Sequence, residues 1–255
     1  MILLERVAIA AGGRDLVRDI DASIAPGEFV AVLGPNGVGK TTLLRAIRGL
    51  HPIASGHIAI DGSPLASMGP LERAHRMAFV TADDMMTEAL TVADVVAMGR
   101  FPHHRWWQWR PSAHDDETID RALRDVGMAS HGAQLFTTLS SGERQRAWIA
   151  MGLAQETPIV MLDEPTSHLD VRVAHELLAL LRRLAAEGRT IVCVLHDLND
   201  AAAYADRLLL LGCERMLAFD RAEAVLTPEI VERAYGIAVE RIDTARGPRV
   251  FPLGR

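Results

Sequence analysis

The stretch Glu28-Phe29-Val30-Ala31-Val32-Leu33-Gly34-Pro35-Asn36-Gly37-Val38-Gly39-Lys40-Thr41-Thr42-Leu43-Leu44 runs from an unbroken apolar segment, through a glycine-rich turn, into a helical pattern over 42–48. An apolar run without polar alternation suits a strand buried on both faces of a largely parallel sheet. Between strand and helix, Gly34, Pro35, Asn36, Gly37, Val38, Gly39, Lys40 and Thr41 form a phosphate-binding loop (P-loop), with Thr42 as a further nucleotide-binding residue at the helix start, in the context that gives the pattern a mechanism. Its glycines let backbone N–H groups wrap an anion at a helix N-terminus, and Lys40 supplies a point charge to β and γ phosphates. A nucleotide site is predicted, with the Thr41 hydroxyl as a ligand for Mg²⁺.

Two later apolar runs, 159–162 and 190–195, are of the same kind, and each precedes a helical pattern, 171–186 and 198–205. The fold class is therefore α/β, and each functional turn falls at the carboxyl end of a strand. Asp163 and Glu164 follow the first of these runs. Asp163 is assigned to the metal and Glu164 to orienting and deprotonating an attacking water. Taken alone, Asp-Glu-Pro is more often a turn than a catalytic pair; the preceding P-loop reverses that reading. His196 ends the run 192–195, so it belongs at the same edge, within reach of a γ-phosphate. The leucines of 171–186 form a core-facing stripe.

The segments 4–10, 15–24 and 56–61 read as an antiparallel edge sheet, whereas 90–155 reads as helices at 91–99, 115–126 and 141–154, the first and last opened by Thr or Ser. The turn Leu139-Ser140-Ser141-Gly142-Glu143 is a second helix N-terminus suited to an anion. The expected organisation is a nucleotide-binding core made of 1–83 and 157–255, with a helical subdomain, 84–156, inserted in it.

Composition narrows the function classes. The chain has 255 residues, 49% hydrophobic and 24% charged, enough for one large domain or two small ones. A net charge of −6 supplies no general field for nucleic acid, so no nucleic-acid partner is expected. The longest apolar runs, such as 208–211, fall far short of the roughly 18–20 residues that span a bilayer; any membrane role must pass through a partner. The start lacks the features of an export signal, so a cytoplasmic location is expected. Cys193 and Cys213, without CxxC neighbours, are expected to be reduced thiols packed as small hydrophobes.

In order, the P-loop, the turn Leu139-Ser140-Ser141-Gly142-Glu143-Arg144-Gln145-Arg146, the segment Met161-Leu162-Asp163-Glu164-Pro165, the loop Ser167-His168-Leu169-Asp170 and His196 resemble the landmarks of an ATP-binding cassette (ABC) ATPase over nearly the whole chain. The resemblance implies a P-loop NTPase core with a helical subdomain, ATP and Mg²⁺ as ligands, and a head-to-tail homodimer. In that dimer Ser140, Ser141 and Gly142 of one copy close on the γ-phosphate held by the P-loop of the other, and Asp170 joins the nucleotide site. The segments 90–103, 142–151 and 231–236 are similar to importer ATPases for iron-siderophores, haem and vitamin B12. That similarity implies integral-membrane permease subunits, a periplasmic or surface binding protein that selects the cargo, and a peripheral position on the cytoplasmic face of the membrane. Two other readings stay open: a soluble ABC ATPase of an iron–sulfur or similar assembly pathway, and a non-hydrolysing regulator.

Several positions depart from the family pattern. Ala82 stands where a glutamine usually couples the site to the helical insertion, followed by Asp83 and Asp84. The adenine-stacking aromatic is missing near 10–13. Ser141 replaces a glycine, which would carry strain if the position required a positive φ. The segment Pro102-His103-His104-Arg105-Trp106-Trp107-Gln108-Trp109-Arg110 concentrates tryptophan and arginine on the helical insertion, as a partner-contacting loop or as one folded back on the insertion; a metal site at His103-His104 is the third reading.

Overall fold

The computed structural model describes residues 1–81, 90–104, 112–245 and 247–253. Strands β1 (Ile2–Ala11) and β2 (Arg14–Ile24) form a hairpin, after which β3 (Phe29–Leu33) leads through the P-loop into helix α1 (Lys40–Arg48). Strands β4 (Ser55–Ile60) and β5 (Ser63–Pro64), helix α2 (Pro70–Arg76) and strand β6 (Met77–Thr81) follow. The helical part comprises α3 (Val92–Ala97), a 3₁₀ turn (Met98–His103), α4 (Ala113–Asp125) and α5 (Ser141–Ala154). The chain returns to the sheet in β7 (Ile159–Asp163), then runs through α6 (Val171–Ala186), β8 (Thr190–Val194), α7 (Leu198–Tyr204), β9 (Arg207–Gly212) and β10 (Arg215–Asp220). Helices α8 (Ala222–Val225) and α9 (Pro228–Tyr235) precede a terminal hairpin of β11 (Val239–Thr244) and β12 (Gly247–Pro252).

Ten strands form one sheet in the order β5-β4-β1-β2-β10-β9-β3-β8-β7-β6. Strand β3 pairs in parallel with both β8 and β9, and β7 pairs in parallel with β8 and β6. The expected edge sheet of β1, β2 and β4 is antiparallel, but it is not separate. The β9–β10 hairpin joins it to the parallel set through one β10–β2 bridge, Arg215 to Arg18.

The central strands read as continuous apolar runs because both of their faces are covered. Phe29, Ala31 and Leu33 pack into the layer holding α5 and α6, together with Val160, Leu162, Ile191 and Cys193. Their alternates Val30 and Val32, with Ile159, Met161, Val192 and Val194, pack into the layer of α1 and the β1–β2 hairpin. Both layers exclude water from the strands and leave their carboxyl ends as a place for polar chemistry.

The insertion's helices carry their own start signals. Thr91 with Asp94, Ser112 with Asp115 and Ser140 with Glu143 each form a reciprocal capping box at α3, α4 and α5. Asp115 therefore closes the box rather than opening the helix, which begins at 113 instead of the expected 115. Arg100, in the 3₁₀ turn, is buried and binds this group together: it donates to Asp115 (2.8 Å), to Glu156 (2.7 Å) and to the Ala154 carbonyl at the end of α5 (2.7 Å). One expectation changes. Cys193 is buried as expected, but Cys213 is exposed in the β9–β10 turn at φ 50° and is not packed as a small hydrophobe. Ala82 and the tryptophans Trp106, Trp107 and Trp109 lie outside the described residues. Within the described part of that segment, His103 bonds the Gln155 carbonyl and His104 bonds Asp115.

Candidate active site

Helix α1 begins at Lys40, two residues earlier than expected, so Lys40 and Thr41 occupy its first turn. The turn before it is dictated by crowding. At Gly34 (φ 146°) a Cβ would sit 2.5 Å from the Leu211 carbonyl oxygen, which no side chain tolerates. Gly39, at φ 108°, caps α1 without any side-chain bond to the first N–H groups, so these are available to an anion. Gly34→Ala is expected to weaken nucleotide binding at least about tenfold, from backbone strain of roughly 1–3 kcal/mol; equilibrium titration with a fluorescent nucleotide checks it.

Lys40 is 5% exposed, and its ammonium donates to the carbonyls of Gly34 (2.8 Å) and Pro35 (3.1 Å). Burial pushes its pKa down, and the carboxylates of Glu164 and Asp163 act against that. The Thr41 hydroxyl donates to Asp163 Oδ1 at 2.9 Å. Burial raises the Asp163 carboxyl, with Glu164's charge adding to it, while the Thr41 hydrogen bond opposes the rise. A hydroxyl and a carboxylate at this spacing are hard oxygen donors of the kind Mg²⁺ takes alongside phosphate oxygens. Among the described residues no group of three or more His, Cys, Asp or Glu could hold a metal by itself.

Glu164 follows β7 at φ 52°, a left-handed conformation uncommon outside glycine and concentrated at functional turns. Its carboxylate pairs with His196 Nε2 at 2.9 Å and accepts from the Ser167 hydroxyl at 3.3 Å. Burial alone would raise Glu164, but His196's hydrogen bond and charge, with Lys40 and Ser167, outweigh it and hold the carboxyl below its ordinary value. Glu164 is thus an ionised acceptor at neutral pH.

Lys40, Thr41, Glu164 and His196 share one pocket of about 310 Å³, lined also by Leu16, Asn36, Gly37, Gly39 and Thr42, whereas Asp163, bonded to Thr41, is not part of its lining. The strand order explains the convergence, since β3, β8 and β7 are neighbours and present the P-loop, His196 and Asp163–Glu164 at one edge. Leu16 escaped the sequence reading; the pocket takes its apolar lining from this β2 residue, not from 10–13. Its only sequence signal is an apolar residue in an otherwise polar strand start.

Ser140, Ser141, Gly142 and Asp170 do not line this pocket. Ser140 caps α5, and Ser141 is its first helical residue without a positive φ, so the strain that a glycine position would have implied is absent. Gly142 faces Val173 on α6, and Asp170 caps α6 by accepting from the Val173 N–H (3.0 Å).

Residues 17–167, more than half of the chain, match the family model for the ABC transporter. The ferric enterobactin transport ATP-binding protein FepC of Escherichia coli (strain K12) is 39% identical over 98% of this chain and 93% of its own length. The hemin import ATP-binding protein HmuV of Nocardia farcinica (strain IFM 10152) is 40% identical over 95% of this chain and 83% of its own. A solved structure described as an inward-facing ABC transporter of metal-chelate type superposes with a TM-score of 0.88, at 27% identity, over 100% of this chain and 98% of that one.

Proposed function

The chain belongs to the ABC transporter family as an ATP-hydrolysing importer subunit, and from that premise we propose that its cargo system handles an iron-siderophore or haem-type chelate. The observation that carries the reading is the single pocket uniting the P-loop, Glu164 and His196, in a chain that importer ATPases match along almost all of its length.

The proposed working form is a homodimer docked on permease subunits at the cytoplasmic face of the membrane. Among the described residues no helix is long and apolar enough to cross a membrane, so a membrane partner has to carry the cargo path. In the dimer, the 140–142 turn of one copy faces the phosphate held by the other copy's P-loop, with the start of α5 favouring the anion. Lys40 leaves the Gly34 and Pro35 carbonyls for the phosphates. Thr41 and Asp163 would hold Mg²⁺, which neutralises charge on β and γ oxygens when bound. Glu164 accepts the proton of the attacking water, and His196 orients that carboxylate. Separation of the two copies after hydrolysis moves the permease between states.

Affinity purification of a tagged Glu164→Gln chain from mildly solubilised membranes with ATP present tests this reading. Recovery of a polytopic permease is expected, and its associated binding protein leads to the cargo. Recovery of soluble assembly proteins alone, with none of the chain at the membrane, would transfer the protein to the assembly-ATPase reading.

A further inference from the structure

His196 meets Glu164 at 2.9 Å, and among the described residues its ring has no other hydrogen-bond partner. Its place is therefore set by the backbone on either side. On the strand side the Leu195 N–H donates to the Val32 carbonyl at 3.2 Å, which ties the end of β8 to β3. On the other side the chain enters α7 at once. Asp197 caps that helix, accepting from the N–H groups of Asn199 (2.7 Å) and Asp200 (2.9 Å). Seven residues, Leu198–Tyr204, make too short a helix to hold itself in water, so α7 depends on what it packs against.

The terminal hairpin supplies the support at its start. Asn199 Nδ2 donates to the Val250 carbonyl (3.1 Å), and Asn199 Oδ1 accepts from the Val250 N–H (2.9 Å). A carboxamide presents a donor and an acceptor side by side, as a peptide group does, so Asn199 pairs with β12 much as a neighbouring strand would. Arg249 adds a third bond, donating from its guanidinium to the Asn199 backbone carbonyl at 2.6 Å. Asparagine is among the weaker helix formers, and these bonds explain its presence in the first turn where propensity does not. The contact continues along the helix, since a Cβ on Gly247 would lie 3.8 Å from the Ala202 carbonyl oxygen. Val250 and Val239 of the hairpin share a buried layer with Ala201 of α7. At the far end of α7 the Tyr204 hydroxyl lies 3.0 Å from His175 Nδ1 on α6. The helix is thus tied to α6 at its end and to β12 at its start, three residues beyond His196.

We infer that Asn199 is a positioning residue for ATP hydrolysis and that β12 acts through it: the two Val250 bonds and the Arg249 bond hold the first turn of α7 where His196 meets Glu164. Without them the segment 196–200 is held only through β8 and the Asp197 cap, and the histidine loses its fixed approach to the carboxylate. A misplacement of about 1 Å far from the chemistry can slow a reaction by up to about 10²-fold. The effect falls on the chemical step, because Asn199 does not line the pocket and the P-loop is carried by other elements, β3 and α1. The inference rests on the reading of Glu164 and His196 as the hydrolytic pair.

The test measures kcat and KM for Mg²⁺-ATP in Asn199→Ala, alone and in the His196→Ala background, with a melting temperature recorded for each chain. Asn199→Ala is expected to lower kcat about 3–30-fold, between the loss of one ordinary hydrogen bond and that of a misplaced group, and to leave KM within about twofold of the wild type. Added to His196→Ala, it is expected to change the residual kcat by less than about twofold, because the residue it acts through is already gone. Arg249→Ala, which keeps both Val250 bonds, is expected to repeat the pattern with a smaller fall, and it carries the test if Asn199→Ala does not fold. Wild-type kcat in the folded variant would overturn the inference. So would an equal fall with and without His196, which would mark a general loss of structure. If Glu164→Gln and His196→Ala both hydrolyse ATP at the wild-type rate, the hydrolytic reading itself fails; if they are impaired and the folded Asn199→Ala is not, only the role of Asn199 fails.

Discussion

Glu164→Gln is expected to lower ATP turnover by about 10²–10⁴-fold, the contribution of a positioned general base, while ATP still binds. Glutamine preserves the size and much of the hydrogen bonding of the side chain but cannot accept a proton from water at neutral pH. Lys40 and the start of α1, the proposed phosphate site, are untouched. Single-turnover phosphate release set beside nucleotide titration separates the two effects. Loss of turnover with retained binding assigns Glu164 to the chemical step, and near-normal turnover would move the base to Asp163 or His196. His196→Ala supplies a control. It removes the 2.9 Å partner that orients Glu164, so turnover should fall there too, with the carboxylate itself still present.

Asp115→Ala is expected to produce the largest loss of stability, about 2–4 kcal/mol, because the buried Arg100 Nε–H loses its acceptor and the guanidinium keeps only Glu156 and the Ala154 carbonyl as partners. Asp115 is 3% exposed and Arg100 2%. The same carboxylate accepts from Ser112's backbone and hydroxyl, so the α4 capping box is lost as well. A double variant, Arg100→Met with Asp115→Leu, should recover part of the loss, since an apolar replacement of both partners leaves no orphaned charge.

The pH dependence of that loss follows from the direction of the Asp115 shift. Burial acts to raise its pKa, but bonds from Ser112, Arg100 and His104 outweigh burial and hold the carboxyl well below its ordinary 3.8. A depressed folded-state pKa contributes stability that is fully present above the unfolded value and drains away as pH falls through the folded one. Urea melts of wild type and Asp115→Ala should therefore differ by a constant amount from neutral pH down to about pH 3.8 and draw together only as pH falls further below it. A gap that stays constant down to strongly acidic pH would show that lost packing, not charge, separates them.

The chemistry of the site was legible because it sits in local patterns. The P-loop carries its own strand and helix context, and Asp163, Glu164 and His196 each end an apolar run whose sheet neighbours follow from the α/β pattern. Which face of the sheet each residue meets was not legible, since Val30 and Ala31 are equally apolar and both layers bury them. The expected range 141–154 matches α5, although its cap is Ser140 and not the Ser141 that opens the range, while the start of α4 was set two residues late at Asp115, which closes that helix's capping box. Long-range contacts left no mark at all. Nothing around Leu16 announces a nucleotide pocket; its place is fixed by β2 meeting the loop in space. Ser141 shows the reverse error, where a family glycine suggested strain and the backbone is simply helical.

The place of β3 in the sheet, between β8 and β9, also sets an order in time. The P-loop sequence leaves the ribosome early, yet the strands on either side of it end at 194 and 212. At about 5–20 residues per second of synthesis, a nascent chain carries residues 34–42 for roughly ten seconds to half a minute before their flanking strands exist. Until then the Leu211 carbonyl that shapes Gly34 is missing. A truncated or stalled product holds the motif without the scaffold that fixes its geometry, so nucleotide occupancy reports that synthesis has passed β9.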